Sequence, residues 1–426
     1  MILGGKILRK QIKPGIFLTV IPMKQFKTVR IAVDFLTELK PQRQTSRLLL
    51  ANFLETCSNK YPTQQAIARQ LAALYGAEFS VSSGRKGQLQ ILSFMFESLA
   101  DQYNPQKNSL QAGINFLNQI IFHPLLTANE FETKNFAREK LNLQKMLLSV
   151  NDNKQLLTYL KLQQTFFSSA AQQEPSFGTL AELGKITAQS LWQVYQQMLK
   201  EDQIEIIILG DLTFAKAQAA VQTFEFVTKK PQNLPVFYQQ ELVKKIKHSQ
   251  LHQPVSQSKL DLGFALPIYY GSRQFSAALL FNAIFGGLPM SRLFLKVREA
   301  AGLAYYASSS YDSFRGWLLV QTGIDAKNRA QVIEIILEQL AHLQAGQIAD
   351  SELADAKQTL LNNYYSHLDS QSSGLNRALF SSLTNRSWTA AEWTKQLLAI
   401  DSAQIAQVAQ AVRLQAITFL EGEKSK

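Results

Sequence analysis

Two periodicities alternate along this 426-residue chain. Period-two alternation of apolar and polar positions predicts strands at Gly15–Ile21 and Thr28–Phe35, read as a pair. Apolar residues at helical spacing then predict helices at Ser46–Thr56 and Gln64–Tyr75, the second ended by Gly76. Strands follow at Glu78–Ser83 and Gly87–Phe96, long helices at 106–121 and 128–149, and a buried strand at Asp202–Leu209 closed by Gly210-Asp211. From about 227 to 253, Lys-Lys-Pro, Asn-Leu-Pro and the basic run Lys244-Lys245-Ile246-Lys247 interrupt both patterns and mark a linker. The order then repeats. A strand at Lys259–Phe264 leads to helices at Gln274–Phe285 and Ser291–Ala300, then strands at Leu303–Tyr311 and Gly316–Gly323. Amphipathic helical stretches at 328–345, 348–367, 372–384 and 391–412 precede a last strand at Ala416–Glu421. Two halves of about 210 residues with one element order, and no evident identity between them, point to a structural duplication. Helices running after a mostly antiparallel sheet give an α+β class. The expected division is 1–226, a linker at 227–253, and 254–426.

Composition narrows the function classes. Hydrophobic residues make up 46% of the chain, with 26 Phe and 13 Tyr, far more apolar area than a disordered chain carries. Cys57 is the only cysteine, which excludes a disulfide scaffold. No apolar run approaches the roughly 18 residues of a membrane span, and the longest candidate, Ala277–Leu288, is interrupted by Asn282. The opening residues lack a continuous apolar stretch of the secretory type, so a cytoplasmic address is expected. Lys and Arg number 44 against 32 Asp and Glu, a balance of +12 that favours acidic partners. The basic residues are scattered, and the one dense run is not interleaved with aromatics. They read as a solvated surface, with neither nucleic acid nor membrane as partner.

The first candidate site is Ala51-Asn52-Phe53-Leu54-Glu55-Thr56. Its spacing matches the inverted zinc motif H-x-x-E-H, in which two imidazoles one helical turn apart bind the metal and the Glu activates water. Here Asn52 and Thr56 stand at the histidine positions and only Glu55 keeps its type. An amide and a hydroxyl are poor zinc ligands beside imidazole or thiolate. A third, carboxylate ligand would fall late in Arg138–Met146, where Gln144, Lys145 or Met146 stands. Glu55 is not assigned as a base, because that role needs a metal-bound water. Without its spacing, Asn52–Thr56 reads simply as amphipathic helix.

At these residues the chain resembles the insulinase/pitrilysin-type metallopeptidase family, in particular the two-domain subunits related to mitochondrial processing peptidase. The degenerate segment just described carries the resemblance, with Lys60-Tyr61-Pro62-Thr63, Leu74-Tyr75-Gly76-Ala77 and Leu209-Gly210-Asp211. Above all it rests on Ser291-Arg292-Leu293-Phe294 with Val297-Arg298-Glu299 and Gly302-Leu303-Ala304-Tyr305. More narrowly, the chain resembles the family's bacterial inactive-site members, which are encoded in pairs with an H-x-x-E-H partner. The resemblance implies two homologous domains of the LuxS/processing-peptidase metallohydrolase-like type, each a mostly antiparallel sheet with helices on one face. It implies no catalytic residue and no cofactor in this chain, zinc being expected in the partner subunit.

The same resemblance gives Arg298 and Tyr305 a role. An Arg and a Tyr at this spacing bind the substrate backbone in the family. The chemistry suits them, since guanidinium is a rigid fork of donors and a phenol can hydrogen-bond near the scissile bond. The plainer alternative is a surface Arg paired with Glu299 and a Tyr packed at a strand start. Other candidates are weaker. His248 and His252 have metal spacing only if helical, but lie in the linker with Pro254 close behind. His123, His342 and His367 are isolated. Cys57 has no sequence neighbour to lower its pKa and reads as a small apolar residue. Gly286–Ser291 reads as a helix–helix turn with Ser291 as N-cap and no Walker lysine. Asn282 and Arg292 are expected to face the same chamber as Arg298.

The expected function is a non-catalytic, substrate-binding subunit of a heteromeric zinc peptidase. It would hold a peptide or small protein in a two-domain chamber while the H-x-x-E-H partner supplies the metal. A rival is a peptidase-derived structural or regulatory binding protein with no role in proteolysis. A self-sufficient peptidase is disfavoured by the missing ligands.

Overall fold

The computed structural model describes residues 7–230 and 232–422. The first half runs β1 (Leu8–Lys13), β2 (Ile16–Pro22), β3 (Thr28–Glu38), α1 (Arg43–Thr56), α2 (Gln64–Ala73), β4 (Glu78–Lys86), β5 (Leu89–Leu99) and α3 (Ser109–Phe122). A short hairpin, β6 (Leu126–Thr127) and β7 (Glu130–Phe131), leads to α4 (Thr133–Ser149), α5 (Lys154–Phe166), α6 (Ala170–Gln173), α7 (Leu180–Lys185), α8 (Ala188–Glu201), β8 (Gln203–Gly210) and α9 (Phe214–Val221). The second half runs β9 (Lys247–Gln253), β10 (Ser258–Ala265), α10 (Phe275–Asn282) and two π-helical segments, Ala283–Gly287 and Phe294–Ala300. It continues with β11 (Ala304–Asp312), β12 (Trp317–Ile324), α11 (Arg329–Gln344), α12 (Asp350–Leu368), α13 (Gln371–Thr384), α14 (Ala390–Leu398), α15 (Ser402–Ala411) and β13 (Arg413–Gly422).

The strand orders display the duplication. One sheet is β1-β2-β8-β3-β5-β4 and the other β11-β12-β10-β13-β9. Reversing the second and setting β1 aside, strands map one to one in chain order. Each sheet is antiparallel apart from a single parallel pair, β2 with β8 and β9 with β13. The strands predicted at 15–21 and 28–35 share a sheet but are not paired. β8, whose Ile204, Ile206, Ile207 and Ile208 are fully buried, lies between them, as an apolar run covered on both faces should. The last seven residues of the expected linker form β9. Its sequence KHSQLHQ has an alternating, half-exposed pattern that suits an edge strand. His248 and His252 therefore sit on a strand, and His252 lies 3.4 Å from Glu421. The helix predicted over 391–412 is two, because Asp401 starts α15 with a reciprocal cap to Gln404. Gly76, at φ +74°, ends α2 as expected.

The chain divides into two compact units whose limits differ from the expected ones. The first takes in described residues through Leu148, Pro175–Pro235 and Ser370–Asn385; the second takes Ser149–Glu174, Val236–Asp369 and described residues from Arg386. In the first unit, α1 and α3 cover one face of the sheet, where Phe53 and Phe116 join Phe35 and Phe94 in the core, and α8 packs on α1 and β7, while α13 from the later half packs on β8 across the other face. Gly374 lets α13 approach, since a Cβ there would stand 2.7 Å from Leu209 Cδ1. In the second unit the equivalent helix α5 packs on β13 and β10, and Gly263 makes room for Phe166, whose Cδ2 would be 2.8 Å from a Cβ. Each half thus lends its third helix after the strand pair to the opposite sheet. Among the described residues, no helix is long and apolar enough to cross a membrane.

Candidate functional site

The zinc-motif positions lie at the end of α1, in the first unit. Phe53 and Leu54 are fully buried, which fixes the helix and leaves Asn52 and Glu55 half-buried beside them. Thr56 is buried, and its hydroxyl donates to its own helix at Phe53 O, 3.0 Å away. Glu55 accepts from the Val81 backbone N–H of β4 at 3.3 Å. Burial raises the Glu55 carboxyl pKa; the Val81 bond lowers it and Glu139 raises it further.

Glu139, on α4, is the residue that motif reasoning passed over. It is buried, accepts from Arg138 Nε at 2.7 Å and Asn142 Nδ2 at 3.1 Å, and lies near enough to Glu55 to act on it electrostatically. A charged residue on the same side of α4 as buried Phe136 and Leu143 was the available signal. Gln144, Lys145 and Met146 are exposed. The donors around α1 do not fit zinc. Asn52 and Thr56 are weak ligands, the Thr56 proton is engaged, and Glu139 is held by Arg138 and Asn142. Among the described residues, no group of three or more His, Cys, Asp or Glu could hold a metal. Cys57 is fully buried, its thiol pushed up to about 12 chiefly by burial, so it is unreactive at neutral pH.

Arg298 and Tyr305 lie in the second unit, on two irregular elements joined by a tight turn. Arg298 is in the segment Phe294–Ala300, where Ala301 N–H reaches back five residues to Lys296 O at 3.2 Å. Such π-helical turns are costly in isolation and cluster at functional sites. Gly302, at φ +63°, ends the segment, and its N–H donates to Arg298 O at 3.1 Å. The Arg298 guanidinium carbon sits 4.7 Å from the Phe294 ring centroid, a cation–π contact. Its side chain is 45% exposed, and its contact with Glu299 is 3.5 Å, an exposed pair worth little. The pairing of the plainer alternative exists, but it does not consume the guanidinium.

Tyr305 occupies a β-bulge. Ala304 faces Ile324 and Tyr306 faces Gly323, so Tyr305 is the extra residue of β11. Its side chain is 67% exposed. The neighbouring candidates are tied down elsewhere. Ser309 Oγ donates to Asn282 Oδ1 at 2.8 Å, linking α10 to β11. Arg292 makes a two-pronged contact with Glu352, at 2.8 and 2.6 Å, and bonds Gln347 O at 2.5 Å. Both therefore hold the scaffold. Ser291 starts its helix through its backbone carbonyl, which accepts from Leu295 N–H at 2.9 Å, while its buried hydroxyl is unpaired. Gly286 is required by close packing, since a Cβ would meet Ser309 N at 2.7 Å.

A family model described as the peptidase M16 inactive domain matches residues 185–360. The chain is 29% identical over 358 residues to the Bacillus subtilis (strain 168) protein described as probable inactive metalloprotease YmfF, covering 83% of this chain and 84% of that one. It is 26% identical over 271 residues to the same organism's uncharacterized zinc protease YmxG, covering 62% and 63%. Among solved structures, a conserved protein from Enterococcus faecalis V583 superposes with a TM-score of 0.95 at 39% identity, over 99% of this chain and 100% of that one. A peptidase M16 inactive domain from Pseudomonas fluorescens gives 0.82 at 18% identity, over 99% and 100%, a likeness of fold.

Proposed function

The chain belongs to the insulinase/pitrilysin-type metallopeptidase family, M16, among its inactive-site members, and from that premise we propose that it is the peptide-binding, non-catalytic subunit of a heteromeric zinc peptidase. One contrast supports the reading. The α1 positions that would hold zinc are filled by Asn52 and Thr56, poor ligands of which Thr56 is bonded to its own helix, whereas Arg298 and Tyr305 are presented outward from a helix end and a bulge. In this reading Arg298 donates to a carbonyl of an extended peptide and the Tyr305 hydroxyl bonds beside it. The partner chain, with an intact H-x-x-E-H helix, supplies the metal and its water. The chain's excess of basic residues favours acidic peptides. We place the protein in the cytoplasm, where a lone buried thiol is at home; recovery in a membrane or secreted fraction would overturn that.

The test is reconstitution with the H-x-x-E-H partner recovered from native lysate. Arg298→Ala and Tyr305→Phe are expected to abolish most peptide turnover by the complex while leaving assembly intact. Full turnover with both variants would favour the rival, a regulatory or structural binding protein.

A further inference from the structure

The bulge at Tyr305 has an identifiable cause on the neighbouring strand. From Tyr306 to Asp312, β11 pairs with β12 in unbroken register, Tyr306 opposite Gly323 and Asp312 opposite Trp317. Continued by one residue, that register would set Tyr305 opposite Ile324, which is fully buried in the core. Strand alternation would then turn Tyr305 to the core face, with Ala307. The bulge instead gives the place opposite Ile324 to the small Ala304, which packs on that core, and leaves Tyr305 exposed.

Tyr306 is seated on the opposite face. A Cβ on Gly323 would stand 2.5 Å from Tyr306 Cε1 and 2.8 Å from Gln257 Oε1, so the ring lies in the space the glycine leaves. Lys259 Nζ stands 5.3 Å from the ring centroid and bonds Gln257. Asp261 lies fully buried two residues further along β10, holding Gln321 at 3.1 Å. The Tyr306 hydroxyl is buried without a hydrogen-bond partner. An aromatic ring covering a cross-strand glycine is a recognised means of fixing strand register.

We propose that Tyr306, seated over Gly323 beneath Lys259 and Gln257, is a positioning residue that holds the bulge and thereby sets Tyr305 outside the core, available to a peptide. The peptide-binding consequence rests on the function proposed above; the lock itself does not. Any side chain at 323 would contest the ring's seat, and loss of the ring would free β11 to slip into the register that buries Tyr305.

The full-length chain is nitrated with limiting tetranitromethane, and modification at each tyrosine is read by peptide mass spectrometry. Nitration attacks the accessible phenolate, and Tyr306 is doubly protected because burial, and then Asp261, raise its phenol pKa. The exposed Tyr103 and Tyr365 serve as internal standards. In the wild type, Tyr305 is modified far ahead of Tyr306. Gly323→Val and, as a variant that adds no bulk, Tyr306→Ser are expected to lower Tyr305 modification several-fold relative to the standards. Tyr306→Phe, which keeps the ring, is expected to leave Tyr305 unchanged. A general loss of stability would move the standards as well. Folded Tyr306→Ser protein with wild-type labelling of Tyr305 would overturn the lock. The readout contains no peptide, so failure of the substrate-binding reading leaves it unaffected.

Discussion

Asp261 gives the second unit a pH dependence that one substitution should remove. The carboxyl is fully buried on β10; one oxygen accepts from Gln321 and the other has no partner. Burial raises its pKa from 3.8 to about 8, outweighing the Gln321 bond and the Lys259 charge, which both lower it. The unfolded chain therefore releases this proton near pH 4 and the folded chain only near pH 8. Between those values the folded state binds more protons, so stability falls as pH rises and levels off above about 8. At 1.36 kcal/mol per pH unit, the full interval corresponds to roughly 6 kcal/mol, an upper bound that structural relaxation reduces. Asp261→Asn keeps the shape and the acceptor for Gln321 but cannot ionise. Urea unfolding followed by tryptophan emission suits the comparison, because Trp317, Trp388 and Trp393 lie in this unit and only Trp192 in the other. From pH 5 to 8, the variant's stability relative to wild type should improve with pH, by at most about 1.4 kcal/mol per unit. Parallel curves for the two proteins would refute the reasoning.

Three further substitutions separate scaffold from site. Arg47 pairs with Asp202 deep in the first unit, so Arg47→Ala, which strands a buried carboxylate, should cost about 3–5 kcal/mol in denaturant unfolding. Arg292→Lys loses the fork to Glu352 and should lower the melting temperature without changing peptide capture by the reconstituted complex. Arg298→Ala should do the reverse, with stability held within about 0.5 kcal/mol and capture lost.

Much of the architecture was legible because each element's burial follows a simple period. β3, β5, β10 and β12 read directly, as did α1, α3, α11 and α12. Chain order alone could not place β8 between β2 and β3, since strand adjacency depends on long-range pairing. Nor could it show α5 and α13 crossing to the opposite sheets, because their apolar stripes fit either sheet. β9 was hidden by its polar sequence, which an edge strand tolerates. The signature around Gly302 singled out Arg298 and Tyr305 as candidates, but it did not show the bulge. Its determinant is Gly323, eighteen residues after Tyr305 and on another strand. Asp34 and Asp261, both buried, did leave a signal, each an acid flanked by apolar residues, and they occupy matching central strands, β3 and β10.

The central claim is that this chain binds the peptide while another chain holds the metal. The most direct measurement is zinc content and peptidase activity, assayed on the tagged chain alone and on the complex it captures from its native lysate. The account predicts zinc and turnover only in the complex, with a partner carrying an intact H-x-x-E-H helix. Stoichiometric zinc and turnover in the isolated chain would contradict it.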